Sequence, residues 1–303
     1  MADGWLKTKA PALHRFLTRR DRPWPVVREV LVGALVIGIL LGGLYGLTAQ
    51  PIHGGYPVVV VTTGSMMHCD NYPNSQLGST CTPSHWGRLG TIDPGDLVFV
   101  RHVSDPADVT TKADAGASHY GRPGDVIVYR KAGLAQETPI IHRALFWVQV
   151  NQDRTFSVPA LGLDHAASLN VPAVRAMLSD AGGCDVTSTF QVSSNMYGEA
   201  GSGFVTRGDN NNLADQCAGI PPARLEWVLG KARGEVPWIG LVNLLWGDIT
   251  GGTSHYGEAG NDSKVMFFVT VAVLVSAPWL IELVMRRRQR ARAEKLEKEE
   301  PED

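Results

Sequence analysis

Three kinds of side chain stand in an order suited to nucleophilic catalysis. Ser65 follows the run Val58-Val59-Val60-Val61-Thr62-Thr63-Gly64, which is rich in β-branched residues and predicts a buried strand ending in a tight turn. His142 lies inside a second apolar run, Pro139 to Val148, and Asp209 and Asp215 lie in a Gly- and Asn-rich loop. A serine hydroxyl is a poor nucleophile at neutral pH and needs a base. An imidazole can supply it, and a carboxylate fixes the imidazole tautomer and stabilises its charged form. A serine lifted off the end of a rigid strand also sits next to backbone N–H groups able to hold an oxyanion. Each part has a plainer reading. Gly-Ser after a strand is ordinary turn content, a histidine beside Arg143 suits a sheet, and Asp209 in Gly-Asp-Asn-Asn can cap a turn. The chain has nine histidines, so a chance pairing is not negligible.

The elements that must position these groups are mostly strands. Asp93-Pro94-Gly95-Asp96 leads into Leu97 to Val100, and Arg122-Pro123-Gly124-Asp125 leads into Val126 to Tyr129: the same turn twice, each followed by a Val-rich run. Val103 to Ala117 reads as a loop or short helix, Val171 to Leu178 as a helix, and Asn151 to Asn195 and Val228 to Val236 as mixed. Many short strands with Gly/Pro turns predict a mainly β, barrel-like body.

Two apolar runs flank that body. Val30 to Leu47 holds no charge over 18 residues, and Val265 to Met285 spans 21 with only Glu282 near its end. Each is long enough to cross a hydrocarbon core of about 30 Å. A cleaved signal sequence competes for the first run, but Tyr45, Thr48 and Gln50 make no small-residue cleavage site. Basic residues crowd the outer flanks, from Lys7 to Arg28 and from Arg286 to Arg292. The positive-inside rule then puts both termini in the cytoplasm and the body on the far side. The predicted layout is a leader over 1–29, a membrane helix over 30–49, a body over 50–264 with an excursion at 67–92, a second membrane helix over 265–285, and a tail over 286–303. Between Gln50 and Lys264 there are 14 basic and 20 acidic side chains, which excludes a nucleic-acid-binding stripe.

Cys69, Cys81, Cys184 and Cys217 all fall in the body, as expected in an oxidising compartment. Three pairings are possible. Cys69–Cys81 and Cys184–Cys217 are favoured because each closes a local loop. A metal site is the rival, but no Cys-x-x-Cys spacing is present. His68-Cys69-Asp70 reads as a polar loop. Pro237 to Trp246 is apolar, too short to span a membrane and flanked by tryptophans, which suits an interfacial segment or a core strand.

The ordered set resembles type I signal peptidases of the archaeal and endoplasmic-reticulum kind. The matching pieces are Gly64-Ser65-Met66, Gly95-Asp96-Leu97-Val98, Ile140-Ile141-His142-Arg143, the Gly208-Asp209-Asn210-Asn211 loop with Asp215 six residues after Asp209, and Gly230-Lys231-Ala232-Arg233-Gly234-Glu235-Val236-Pro237-Trp238-Ile239-Gly240. The resemblance implies a membrane-bound serine endopeptidase, in the plasma membrane, that removes signal peptides after small residues. It implies Ser65 as nucleophile, His142 as base where bacterial relatives carry lysine, and Asp215 as partner of His142, with Asp209 holding the loop or sharing that role. The Thr63 hydroxyl and the Ser65 backbone N–H would hold the oxyanion. The substrate would lie extended along Val60, Val61 and Thr62 or along Ile140 and Ile141. Secretory preproteins, the bilayer and the protein-export channel are the implied partners, with no cofactor and no metal. The Cys-bounded excursion after Met67 and the long Asn151–Asn195 stretch depart from the family pattern. Two other readings stay open: a non-catalytic, membrane-tethered extracellular binding domain, and a peptidase of the same superfamily acting on another membrane protein.

Overall fold

The computed structural model describes residues 11, 24–51, 55–68, 89–114, 116–178, 184–197, 201–251 and 255–299. The expected Cys69–Cys81 link and most of the 67–92 excursion lie outside them. The chain forms two units, residues 1–57 and 58–303. The first contains helix α1 (Trp24–Thr48). Its Glu29–Thr48 stretch is long and apolar enough to cross a membrane, with mean hydropathy 2.4.

In the second unit the strands are β1 (Val58–Val60), β2 (Leu97–Arg101), β3 (Ser118–His119), β4 (Arg122–Pro123), β5 (Val126–Tyr129), β6 (Ile140–Val150), β7 (Phe156–Val158), β8 (Leu163–Ala166), β9 (Gly203–Arg207) and β10 (Val228–Val236). Eight of them form one antiparallel sheet in the order β1-β2-β10-β5-β6-β7-β8, with β9 also on β6. The path is open at both ends, so the expected barrel is not closed, and β1 is an edge strand. β6 is the spine. Eleven residues without Gly or Pro let it pair with β5 over Ile140–Arg143, with β9 over Arg143–Val148 and with β7 at its end. One core gathers Val61, Met66, Ile92, Val98 and Val126; another gathers Ile127, Tyr129, Ala144 and Phe204.

β10 is central although its sequence reads as mixed. Its charges find a buried partner in Asp125, with Lys231 Nζ at 3.1 Å and Arg233 Nη1 at 3.0 Å. The register of β10 shifts at Gly230, where a side chain would strike Val100 and the Arg101 carbonyl. Polar pattern alone therefore hides a strand that tertiary pairing enforces.

β7, β8, α2 (Pro172–Leu178) and α3 (Thr187–Tyr197) form an accessory lobe. The Ser- and Thr-rich α3 has weak helix propensity. It forms because Phe190 packs with Phe156, Leu169 and Leu178, the two phenyl rings meeting edge to face at 6.4 Å. Cys184 and Cys217 are disulfide-bonded, Cα to Cα 5.8 Å, tying this lobe to the segment after Asp215. After β10 come α4 (Leu241–Ile249) and α5 (Asn261–Glu299). The apolar stretch after Pro237 is thus a turn and a helix rather than a strand. Asn261–Ala291 is the second segment long and apolar enough to cross a membrane, with mean hydropathy 2.1. Leu241 and Leu244 of α4 pack on Phe267 of α5, while Val242, Trp246 and Ile249 are exposed.

Replacing Cys184 and Cys217 together by serine is expected to cost about 3–4 kcal/mol, the loop-closure entropy of a bridge of this span. Chemical unfolding of the purified protein measures it, and an unchanged midpoint would show that the bridge contributes nothing.

Candidate active site

Ser65 sits in the single 3-10 turn Gly64–Met66 that ends β1, half-buried. His142 lies on β6 opposite Ile127, and its Nε2 is 2.9 Å from Ser65 Oγ. On the far side of the ring, Nδ1 is 2.7 Å from Asp215 Oδ2. Asp215 opens the 3-10 turn Asp215–Ala218. The same Oδ2 accepts hydrogen bonds from the Tyr129 hydroxyl (2.8 Å) and the Thr206 hydroxyl (2.6 Å). Burial alone would push the Asp215 carboxyl up. The His142 ring and the Thr206 and Tyr129 donors outweigh burial, so the carboxyl is held below its ordinary value and stays ionised. Burial, and then the nearby Asp215 charge, pushes the Tyr129 phenol well up, which keeps its proton available for that bond.

Asp209 does something different. Arg143 grips it with a two-pronged contact, Nε to Oδ1 at 2.7 Å and Nη2 to Oδ2 at 2.6 Å, and His68 Nε2 lies 2.8 Å from Oδ2. Burial opposes its ionisation, but Arg143 and His68 overcome that and hold the carboxyl far below the usual range. The buried Arg143 also donates through Nη1 to the carbonyls of His119, Arg122 and Gly124. Asp209 therefore fastens its loop to the β3–β5 region, and it is Asp215 that lies on His142.

The same loop holds the serine turn. Asn210 N donates to the Ser65 carbonyl at 2.8 Å and Asn210 Nδ2 to the Gly64 carbonyl at 3.1 Å. Gly208 runs so close that a Cβ there would lie 2.5 Å from the Ser65 carbonyl oxygen and 2.9 Å from His142 Nε2. Only glycine fits without displacing one of them.

A cleft of about 410 Å³ opens over Ser65 and His142. Val60, Val61, Thr62 and Thr63 line it from β1 and its continuation, and Ile140 and Ile141 from β6. All the residues expected to contact substrate are among them. Thr63 is exposed and its hydroxyl caps nothing. The Ser65 N–H lies in the first turn of a helix, where backbone donors have no intrahelical acceptor. Sequence reading missed Tyr129, Thr206 and His68. Tyr129 merely closes a Val-rich strand, and nothing in the spacing ties it or Thr206 to Asp215. No protein-family model matches the chain, and a search of curated proteins finds no match.

One wall of the cleft rests on an acidic corner. Val61 N donates to the Asp96 carbonyl, and Gly95 N to the Val61 carbonyl. The Asp96 carboxyl accepts from Asp93 N at 2.8 Å and Trp238 N at 3.1 Å. Burial, with Asp93 and Glu235 nearby, pushes Asp96 up to about 8, and burial also pushes Glu235 up to about 7.

Two outcomes are expected. Gly208→Ala costs about 1–3 kcal/mol through overpacking; an unchanged unfolding midpoint would mean the loop yields freely. Because the folded pKa of Asp96 is raised from 3.8 to about 8, its stabilising contribution is complete below 3.8 and is lost as pH rises through about 8. Thermal melts across that window should show stability falling with pH, and Asp96→Asn should flatten the fall while lowering stability at acid pH by removing one acceptor. An equally steep slope in the variant would place the titration elsewhere.

Proposed function

We propose that this protein is a membrane-bound serine endopeptidase that removes N-terminal signal peptides from exported preproteins. The observation that carries this reading is the continuous relay from Ser65 Oγ through His142 to Asp215, 2.9 and 2.7 Å, at the mouth of an apolar cleft bounded by an edge strand. The ordered resemblance to type I signal peptidases supports it.

In this mechanism Ser65 Oγ attacks the scissile carbonyl carbon while His142 Nε2 takes the hydroxyl proton. Asp215, already ionised, stabilises the imidazolium through Nδ1–H. The oxyanion is held by the Ser65 N–H and the Thr63 hydroxyl, each donor of this kind being worth about 3–4 kcal/mol in the transition state. His142 then gives its proton to the departing amine as the C–N bond breaks, leaving an acyl ester on Ser65. Water, deprotonated by His142, hydrolyses the ester, and the proton returns to Ser65. The substrate binds extended, as an added strand on β1, with main-chain bonds fixing register and alternate side chains entering the Val- and Ile-lined cleft. That narrow lining favours small residues at the first and third positions before the cut.

Both apolar helices cross the membrane in this reading, with both termini cytoplasmic and the catalytic body outside. α4 lies at the membrane surface: its buried side packs on Phe267 of the second span, and Val242, Trp246 and Ile249 face outward, Trp246 being 66% exposed.

The purified protein in detergent should shorten a secretory preprotein at one bond, read by mass spectrometry. Ser65→Ala and His142→Ala should each abolish that cleavage without unfolding the body. Retained cleavage in either would refute the assignment. Serine at Val242, Trp246 and Ile249 together should reduce cleavage of a bilayer-embedded preprotein while sparing a short soluble peptide. Equal loss on both would put α4 in the core of the body instead.

A further inference from the structure

His255 stands outside the relay, yet it lines the same cleft as Ser65. It arrives from the segment between α4 and α5 rather than from the sheet. Residues 255–260 are pinned. Tyr256 and Ala259 pack with Leu241, Leu244 and Phe267, Lys264 Nζ sits 4.8 Å from the Tyr256 ring, and Glu258 N donates to the His255 carbonyl at 3.1 Å. Among the described residues the His255 ring has no hydrogen-bond or ion-pair partner. The rest of the cleft lining is aliphatic, hydroxyl or amide. His142 is the other ionisable lining residue, and it is committed to Ser65 and Asp215. Among the described residues no carboxylate lines the cleft.

We propose that His255 is a specificity-determining residue that recognises an acidic side chain of the bound peptide close to the scissile bond. This assignment rests on the peptidase reading above. An imidazole offers N–H donors and can carry positive charge, so a carboxylate entering the cleft finds a partner. A lysine or arginine side chain finds a second donor and no acidic acceptor. The desolvated aliphatic surroundings raise the effect of one charge above its value on an open surface. The residue thus sets the charge preference of a cleft whose remaining walls select only by size.

The test uses the full chain carrying Ser65→Ala, so that binding is read without turnover. Fluorescein-labelled decapeptides with Ala at the first and third positions before the cut carry either Glu or Lys, scanned in pairs across the flanking positions. At one position the Glu peptide should bind more tightly than its Lys twin, by about fivefold for one partly screened pair. His255→Lys should keep or enlarge that preference, His255→Gln should erase it, and His255→Glu should invert it. A Glu-to-Lys ratio that is the same in all four backgrounds at every position, or no binding of any peptide, overturns the assignment. Discriminating binding without any cleavage by the chain that retains Ser65 would instead defeat the peptidase reading and leave His255 as the selector of a binding cleft.

Discussion

A carboxylate taken out of water must be met by donors or give up its charge. The architecture around the cleft follows from meeting that demand twice within seven residues. Asp209 is met by the Arg143 fork and His68, and Asp215 by His142, Tyr129 and Thr206. Breaking the Arg143–Asp209 pair from one side would cost about 3–5 kcal/mol, because the other charge would be stranded. All of these donors except His68 come from β5, β6 and β9, so satisfying the two aspartates also fixes the loop between β9 and β10 against the sheet. That loop, through Asn210 and Gly208, then holds the turn carrying Ser65. Ser65, His142 and Asp215 are thereby located by one set of buried contacts.

Two further devices keep that set in place. The accessory lobe grips the far end of the loop: Ala214 N donates to the Leu178 carbonyl, Thr189 Oγ1 to the Gln216 carbonyl, and Cys184 is bonded to Cys217. The acidic corner grips β1 from the other side through Val61. β1 pairs with β2 on one side and leaves its other edge open, while the chain just after it is held at Val61 and at the Ser65 turn. An unsupported three-residue edge strand would fray.

The order of Ser65, His142 and the aspartate pair was legible because strand-forming runs and Gly-rich turns are local signals. The residues alone left the division between Asp209 and Asp215 open, and only the resemblance implied Asp215 as the partner of His142. Both lie in one polar loop, and which one meets His142 depends on the 3-10 turn at Asp215 and on Arg143 reaching Asp209 first. Tyr129 and Thr206 were invisible for the same reason: their partner is 86 and 9 residues away and only the fold brings them together. β10 was obscured by Gly230, Lys231, Arg233 and Glu235: Asp125 pairs with Lys231 and Arg233, Glu235 accepts from Gly90 N, and the register shifts next to Gly230 and Gly234. α3 was obscured by its serines and threonines, and the barrel-like body was expected from many short strands with Gly/Pro turns, which do not specify whether the end strands meet. The alternation of strands, the two long apolar helices and the Cys184–Cys217 link were readable because each follows from a periodicity, a length or a spacing.

The central claim is that Ser65, His142 and Asp215 act as one unit. The most direct test is a mutant cycle on kcat/KM for preprotein cleavage with Ser65→Ala, Asp215→Asn and the double variant. Asp215→Asn alone should slow cleavage severely, and the double variant should be no slower than Ser65→Ala by itself, since a carboxylate acting through His142 has nothing left to assist once the hydroxyl is gone. Losses that multiply in the double variant, or an Asp215→Asn enzyme with unimpaired turnover, would show that Asp215 works independently of Ser65 and would contradict the account.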